Sequence, residues 1–330
     1  MERFGSYRPS QLRIGVISGK EAFSRTLIAE INRRGPEVHA EYCRLFETRL
    51  GQPSGYHVII DRLSHVLEYY RPYLKHAAVT GSYIMNNPFR FLSDDKFFNY
   101  AVATSLGVAI PRTVVLPSKE YDERVLETDD LHNLGFPLDW KAITGYIGFP
   151  AVLKPYDGYG WREVYTVETL EELMKIYDDS MQDVMMLQEF IDWDHYVRAF
   201  VVGKRHVMPS RYDPHERRYI VDHAHLSPEL GRRIIDDCIK LNEALGYDIN
   251  TVEFAIKDGV PYAIDFMNPV PDAKPETVTP LYFTWLVKTV ADVAIEYARQ
   301  GARTPYQFQS GPVAPTFMPP RLRLPSYLPE

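Results

Sequence analysis

The 330-residue chain is 45% hydrophobic and 25% charged, which excludes wholesale disorder and leaves room for two or three domain-sized units. Its net charge of −7 gives no basic footprint, so nucleic acid is not an expected partner, although a local basic groove for a nucleotide is compatible with it. Cys43 and Cys238 lie far apart without metal-ligand spacing, Met1–Ser10 carries no apolar leader, and no run approaches the roughly 20 apolar residues of a bilayer span, so a cytoplasmic protein with no membrane partner is expected.

The first ninety residues alternate between strand and helix signals. Leu12–Ser18 reads as a buried strand, and Glu21–Arg34 places Phe23, Leu27, Ile28 and Ile31 on one helical face before Gly35. His57–Asp61 is a second strand. Leu63, Val66, Leu67 and Tyr70 then suit a short helix, and Ala77–Thr80 suits a third strand. Such alternation argues for a parallel α/β unit. Ser93 reads as an N-cap, with Asp94 and Asp95 in the first turn of a helix that runs to Leu106 and stops at Gly107. Residues 118–148 are polar and aromatic and carry no clear period.

Further on, Phe149–Lys154 and Glu163–Thr166 read as strands around a glycine-bearing turn, with Thr169–Asp178 as the following helix. Two more strand pairs are expected. One falls in Val197–Val207; the other is Thr251–Ile256 with Val260–Phe266 across the turn Lys257-Asp258-Gly259. Leu281–Ala298 has Leu286, Val290, Val293 and Tyr297 on one helical face. The tail beyond Gly301 is rich in proline and is expected as extended surface chain.

Chemistry concentrates in a few places. In Val152-Leu153-Lys154-Pro155-Tyr156-Asp157-Gly158-Tyr159-Gly160 a strand delivers a lysine and a glycine-bearing turn follows, a combination that can cradle phosphates. Alone, the segment reads more readily as a surface hairpin with a solvated lysine. Met186–Ile191 reads as a strand ending in a hinge whose backbone could meet an adenine edge, with Asp192 or Asp194 beside it for ribose hydroxyls; a plain edge strand is the simpler alternative. Arg198, Glu253 and the run Asp265–Asn268 fall in three further strand candidates. Oxygen ligands converging from neighbouring strands suit magnesium, although each has a structural explanation of its own. Arg198 in an apolar strand needs a partner, and Asp194 would serve if the pair is structural. Arg211, His215, Arg217, Arg218, His223 and His225 form a polar stretch that is either a carboxylate site or a solvated loop.

Taken in order, Asp95-Lys96, Gly107-Val108-Ala109-Ile110-Pro111, Lys154-Pro155 with Gly158 and Gly160, Gln188-Glu189-Phe190-Ile191, Arg198, Glu253 and Asp265-Phe266-Met267-Asn268-Pro269 resemble the ATP-grasp superfamily. The branch most similar comprises ribosomal-protein glutamate ligases, glutathione synthetases and D-alanine–D-alanine ligases. The resemblance covers roughly residues 10–300 and implies an α/β ATP-grasp fold with an N-terminal parallel α/β domain. The implied division is 1–90 for that domain, 91–195 for the first ATP-grasp part with a lid at about 112–192, 196–302 for the second part, and 303–330 for the tail.

The resemblance also implies roles. Lys96 and Lys154 would hold the α- and β-phosphates of ATP, and Gly158 and Gly160 would close over the phosphates. Gln188, Glu189, Phe190 and Ile191 would line the adenine hinge. Arg198 would face the transferred phosphoryl group, and Glu253, Asp265 and Asn268 would hold one or two Mg2+ ions, with Mn2+ as a substitute. The activity implied is a carboxylate–amine ligase acting through an acyl phosphate on a small-molecule, amino-acid or peptide-like carboxylate and amine. A phosphotransferase and a non-catalytic nucleotide-binding module are the alternatives, and a homodimer is left open. The sequence departs from the family pattern in three respects: Tyr196 stands where an acid often precedes the arginine by two positions, Trp161 and Arg162 add bulk after Gly160, and the metal run has an unusual spacing. Asp265 and Asn268 are separated by one residue more than the usual acid–amide pair, so in a regular strand they would face opposite ways unless a bulge realigns them.

Overall fold

The computed structural model describes residues 11–90, 95–127, 131–158 and 162–305. Its first element, β1 (Leu12–Ile17), is a near-continuous apolar run and forms the middle of a parallel sheet. Apolar runs of this kind suit parallel strands covered on both faces. The sheet order is β2-β1-β3-β4, with β2 at Val38–Tyr42, β3 at Val58–Asp61 and β4 at Tyr83–Met85. Helix α1 (Ala22–Arg33) buries Phe23, Leu27 and Ile31 against it.

Two expectations for this unit are corrected. Residues 62–69 are turns, because the Asp61 carboxylate accepts from the Leu63 and Ser64 amides, each at 3.0 Å, and diverts the chain from helix. The helix, α2, starts later at Tyr70 and runs to Val79, so Ala77–Thr80 is its last turn and C-cap rather than a strand; Tyr73, Leu74, Ala77 and Ala78 are its buried stripe.

Helix α3 (Lys96–Ser105) is capped by Asp95, whose carboxylate accepts from the Phe98 amide at 2.7 Å. The cap is therefore Asp95; Ser93 and Asp94 lie outside the described residues. An antiparallel sheet follows, in the order β5-β8-β6-β7: β5 Thr113–Leu116, β6 Ala151–Pro155, β7 Tyr165–Val167 and β8 Met185–Glu189. Short α4 (Glu123–Glu127), α5 (Trp140–Ile147) and α6 (Leu170–Asp179) accompany it, and Ile147, Leu153, Leu173 and Leu187 share its core.

The third sheet is antiparallel, in the order β11-β10-β9-β12-β13. Its strands are β9 His195–Val202, β10 His206–Asp213, β11 Arg218–Ile220, β12 Ile249–Lys257 and β13 Val260–Asp265. One face packs on α7 (Pro228–Leu245), through Val197, Ala199, Val201 and Val252 against Ile234, Cys238 and Leu241. The other face packs Phe200 and Val202 near α8 (Pro275–Gln300), which also contacts β1 and β3. By length and hydropathy α8 would pass for a membrane span, contrary to the expectation that no segment comes close; 56% of its apolar window is packed inside the protein. The helix kinks where Thr279, at φ 67°, precedes Pro280. Of the proline-rich tail, residues 306–330 lie outside the description; Thr304 Oγ1 accepts from the Ile84 amide at 2.7 Å and ties the tail's start to β4.

Candidate active site

A cleft of about 740 Å³ opens between the β5–β8 sheet and the five-stranded sheet. Its floor is set by strand register. Arg198 lies opposite Glu253, and Glu253 lies opposite Asp265, so three charged residues stand side by side on three adjacent strands. The Asp265 position depends on a bulge: Phe254 pairs with Ala263 and Glu253 with Asp265, leaving Ile264 as the extra residue. The bulge expected between Asp265 and Asn268 is thus displaced to just before Asp265. Asn268 lies beyond the strand and still lines the cleft.

Arg198 Nε lies 3.3 Å from Glu253 Oε1 without the alignment of a hydrogen bond, and Nη1 donates to the Tyr212 hydroxyl at 3.3 Å. The guanidinium carbon is 5.2 Å from the Tyr212 ring centre and 5.9 Å from that of Tyr219. Burial alone would lower the Arg198 pKa; Tyr219 and Glu253 beside it hold it above the ordinary arginine value. Glu253 also accepts from the Tyr196 hydroxyl. Its pKa is raised by burial despite Arg198 nearby. At Asp265 burial works in the same direction, but Lys96 and then Lys154 outweigh it and hold the carboxyl below its usual range. Asp194 is not the arginine's partner. It accepts from the Asp258 amide at 3.0 Å and from Lys257 Nζ at 3.4 Å, fixing the β12–β13 turn outside the cleft lining.

The two lysines approach this floor differently. Lys96 opens α3, a helix end where the macrodipole disfavours a cation; its Nζ is held by Asp265 Oδ2 at 2.9 Å. Lys154 comes from β6 and is buried. Its Nζ donates to Gln188 Oε1 at 2.9 Å, the Tyr100 hydroxyl at 3.2 Å and the Ile264 carbonyl at 3.5 Å, all neutral groups. Burial accordingly lowers its pKa.

At the hinge, Gln188, Glu189, Phe190, Ile191 and Asp192 all line the cleft. The Glu189 carboxylate is taken by Arg112, with Nε at 3.0 Å and Nη2 at 2.8 Å. The Phe190 amide donates to the Pro150 carbonyl at 3.4 Å, so the hinge backbone that faces the cleft begins at the Phe190 carbonyl. Gly158 lines the cleft in a turn so close to β6 that an added Cβ would sit 3.2 Å from Pro155; Gly160 lies outside the described residues. Asn268 donates from Nδ2 to Thr251 Oγ1 at 2.7 Å, and its amide oxygen has no hydrogen bond among the described residues. Among those residues no three His, Cys, Asp or Glu side chains converge at metal distance. Of the polar stretch between β10 and α7, only His215 lines the cleft; Arg211 pairs with Asp222 at 3.0 Å.

Several groups here were not read from sequence as site residues: Tyr100, Arg112, Tyr196, Tyr212 and Tyr219. Tyr196 had an available signal, since i and i+2 on a strand share a face with Arg198.

No family model matches the chain. Solved structures do. A RimK domain ATP-grasp protein from Sphaerobacter thermophilus superposes with a TM-score of 0.62 at 18% identity, covering 86% of this chain and 99% of that one. The chain has an ATP-grasp fold. A D-alanine–D-alanine ligase from Bacillus anthracis complexed with ATP gives 0.60 at 17% identity, covering 88% and 98%. The ATP-grasp ligase PsnB complexed with minimal precursor, Mg and ADP gives 0.58 at 14% identity, covering 87% and 98%. In sequence, human mitochondrial pyruvate carboxylase is 27% identical over 192 residues, 52% of this chain but 15% of that protein. The mouse enzyme is also 27% identical, over 187 residues and again 15% of its length, so the chain spans about one seventh of the curated relatives it matches. In this ATP-grasp fold the cleft lies between the two antiparallel sheets.

Proposed function

We propose that the protein is an ATP-dependent carboxylate–amine ligase that activates its carboxylate as an acyl phosphate and releases ADP and phosphate. One observation carries the reading: Arg198, Glu253 and Asp265 stand abreast on the cleft floor, with Lys96 and Lys154 beside Asp265. Charges buried together at this density need a ligand of matching charge.

The residues present fit both ATP and magnesium. Lys154 is a buried cation whose hydrogen-bonding partners are all neutral, so a phosphate oxygen would supply the missing charge. Glu253, Asp265 and the free amide oxygen of Asn268 would hold magnesium, which favours few carboxylates plus phosphate oxygens. When bound, the metal neutralises charge on the phosphates. Lys96 and Lys154 bind the α- and β-phosphates. The backbone of Phe190 and Ile191 orients the base, and the ribose contact falls to Asp192, since Asp194 is committed to its turn. The turn at Gly158 keeps water from the acyl phosphate. Arg198 stabilises charge on the transferred group through its fixed fork. The partners proposed are a small carboxylic acid and an amine, of amino-acid or peptide type, in the cytoplasm.

The test is trapping. With hydroxylamine replacing the amine, a screen of amino acids and dipeptides should yield a hydroxamate together with ADP. AMP and pyrophosphate would indicate adenylation instead. ADP without hydroxamate, accompanied by a stable phosphorylated product, would make the protein a phosphotransferase.

A further inference from the structure

A ligase of this kind must do something that none of the cleft groups given a role so far can do. Its amine arrives as an ammonium ion and must lose a proton before it can attack. The acids of the floor are committed: Glu253 to Arg198 and Tyr196, Asp265 to Lys96. Glu189 is held by Arg112. Asp272 lines the cleft, but a carboxylate is better suited to holding an ammonium than to deprotonating it.

We propose that His215, at the tip of the β10–β11 hairpin, is the general base that takes this proton from the incoming amine. The assignment rests on the ligase reading. His215 is the one imidazole lining the cleft among the described residues, and no hydrogen bond engages its ring nitrogens there. Its position is built. Asp213 accepts from the His215 and Glu216 amides, each at 3.0 Å, which fixes the hairpin tip. The ring packs against Trp193 at 6.1 Å between centres, and Trp193 meets Tyr196 edge-on at 5.6 Å. Tyr196 in turn donates to Glu253, the ion partner of Arg198. The imidazole is thus linked through Trp193, Tyr196 and Glu253 to Arg198, the group assigned to the acyl phosphate, and lines the same cleft. Charged neighbours are mixed in sign: Asp213, Glu216, Arg217 and Arg218 on the hairpin, Asp192 beside Trp193, and Arg198 and Asp272 on the cleft wall. Imidazole is the side chain whose intrinsic basicity matches neutral pH.

The step balances. The ammonium gives one proton to an imidazole nitrogen, and the freed lone pair forms the C–N bond at the acyl carbon. The C–O bond to phosphate breaks, inorganic phosphate leaves, and the second nitrogen proton departs with it. The imidazolium then returns its proton to solvent.

Hydroxylamine separates this role from a structural one, because it is already unprotonated at neutral pH. In His215→Gln, kcat/KM for the amine should fall on the order of 10²-fold, and the acidic limb of its pH profile should be lost. Hydroxamate formation and KM for ATP should stay within roughly twofold of wild type. Equal losses with amine and hydroxylamine would make His215 a packing residue and overturn the proposal, as would an unchanged amine reaction. A wild-type protein that forms no hydroxamate with any acid would instead remove the ligase reading itself.

Discussion

The floor and the roof of the cleft are built to different standards. The floor strands β9 and β12 are covered on both faces, by α7 on one side and by α8 with Tyr196, Tyr212 and Tyr219 on the other. Their cleft charges are arranged acid against base before any ligand arrives. The roof sheet has a single small core of its own, and Val115, Val164 and Tyr165 are exposed. Its lysine hydrogen-bonds to neutral groups only. The difference separates two tasks. A rigid, preorganised array suits stabilising a transition state, whereas an under-neutralised cation on a thinner layer suits gripping an anion as the layer closes.

The largest expected effect tests the floor. If Arg198 acts mainly in the transition state, Arg198→Lys should lower kcat and kcat/KM together by on the order of 10²–10³-fold, with little change in KM for ATP. The fork contacts to Glu253 and Tyr212 cannot be reproduced by one ammonium. Steady-state kinetics at saturating metal decide the matter. A selective rise in KM for ATP would move Arg198 to the binding side and erase the contrast.

On the roof the expected loss is in affinity. Lys154→Met removes the cation that Gln188 and Tyr100 hold in place. A charge-assisted hydrogen bond contributes about 1.5–3 kcal/mol, so calorimetry should show ATP binding weakened by about 10- to 100-fold. The fold should persist, because removing the charge also relieves its desolvation. Unchanged affinity would leave Lys154 without a role in gripping phosphate.

Much of this contrast was legible in the sequence, and the rest failed for physical reasons. Arg198, Glu253 and Asp265 fell in strand candidates because their neighbours are apolar, but the register that sets them abreast is a long-range property that a strand's own residues do not carry. The bulge at Ile264 is of the same kind. Near Leu63 the apolar spacing mimics a helix, and only the Asp61 side chain, bonding its local backbone, shows otherwise. The strand read at Ala77 belongs to a helix stripe that four residues are too short to reveal. Strand β2, a short edge strand that alternates in burial, and the long stripe of α7 stand out only in the structure.

Acidity offers a third, smaller effect. Burial holds Lys154 below the ordinary lysine value of 10.5. Between the lowered folded pKa and that value the unfolded chain carries this proton and the folded chain does not, so the stability of the ATP-free protein should rise with pH across that window. ATP affinity should fall across the same window, by at most about tenfold per pH unit for a single proton. Urea titrations with and without ATP would show the opposed slopes. In Lys154→Arg, where the charge stays on, both should flatten. Parallel slopes in the wild type would mean that another group governs the window.

The smallest effect is the most discriminating at the hinge. Glu189 stands where the nucleotide base is expected, yet its carboxylate faces Arg112, and that contact is the main force lowering its pKa. If the hinge works through its backbone, the side chain is a brace between β8 and the segment leading into β5, partly open to solvent. Pairs of this exposure contribute about 0.2–1 kcal/mol, so Glu189→Gln should weaken ATP binding by no more than about fivefold. Arg112→Ala should do the same, and the double variant should lose little beyond either single one, because each removes the same contact. Losses well above tenfold in Glu189→Gln alone, with Arg112→Ala silent, would put the carboxylate on the nucleotide. The roof would then hold ATP by side-chain charge at both of its ends, and its thin packing would have to be rigid enough to aim them.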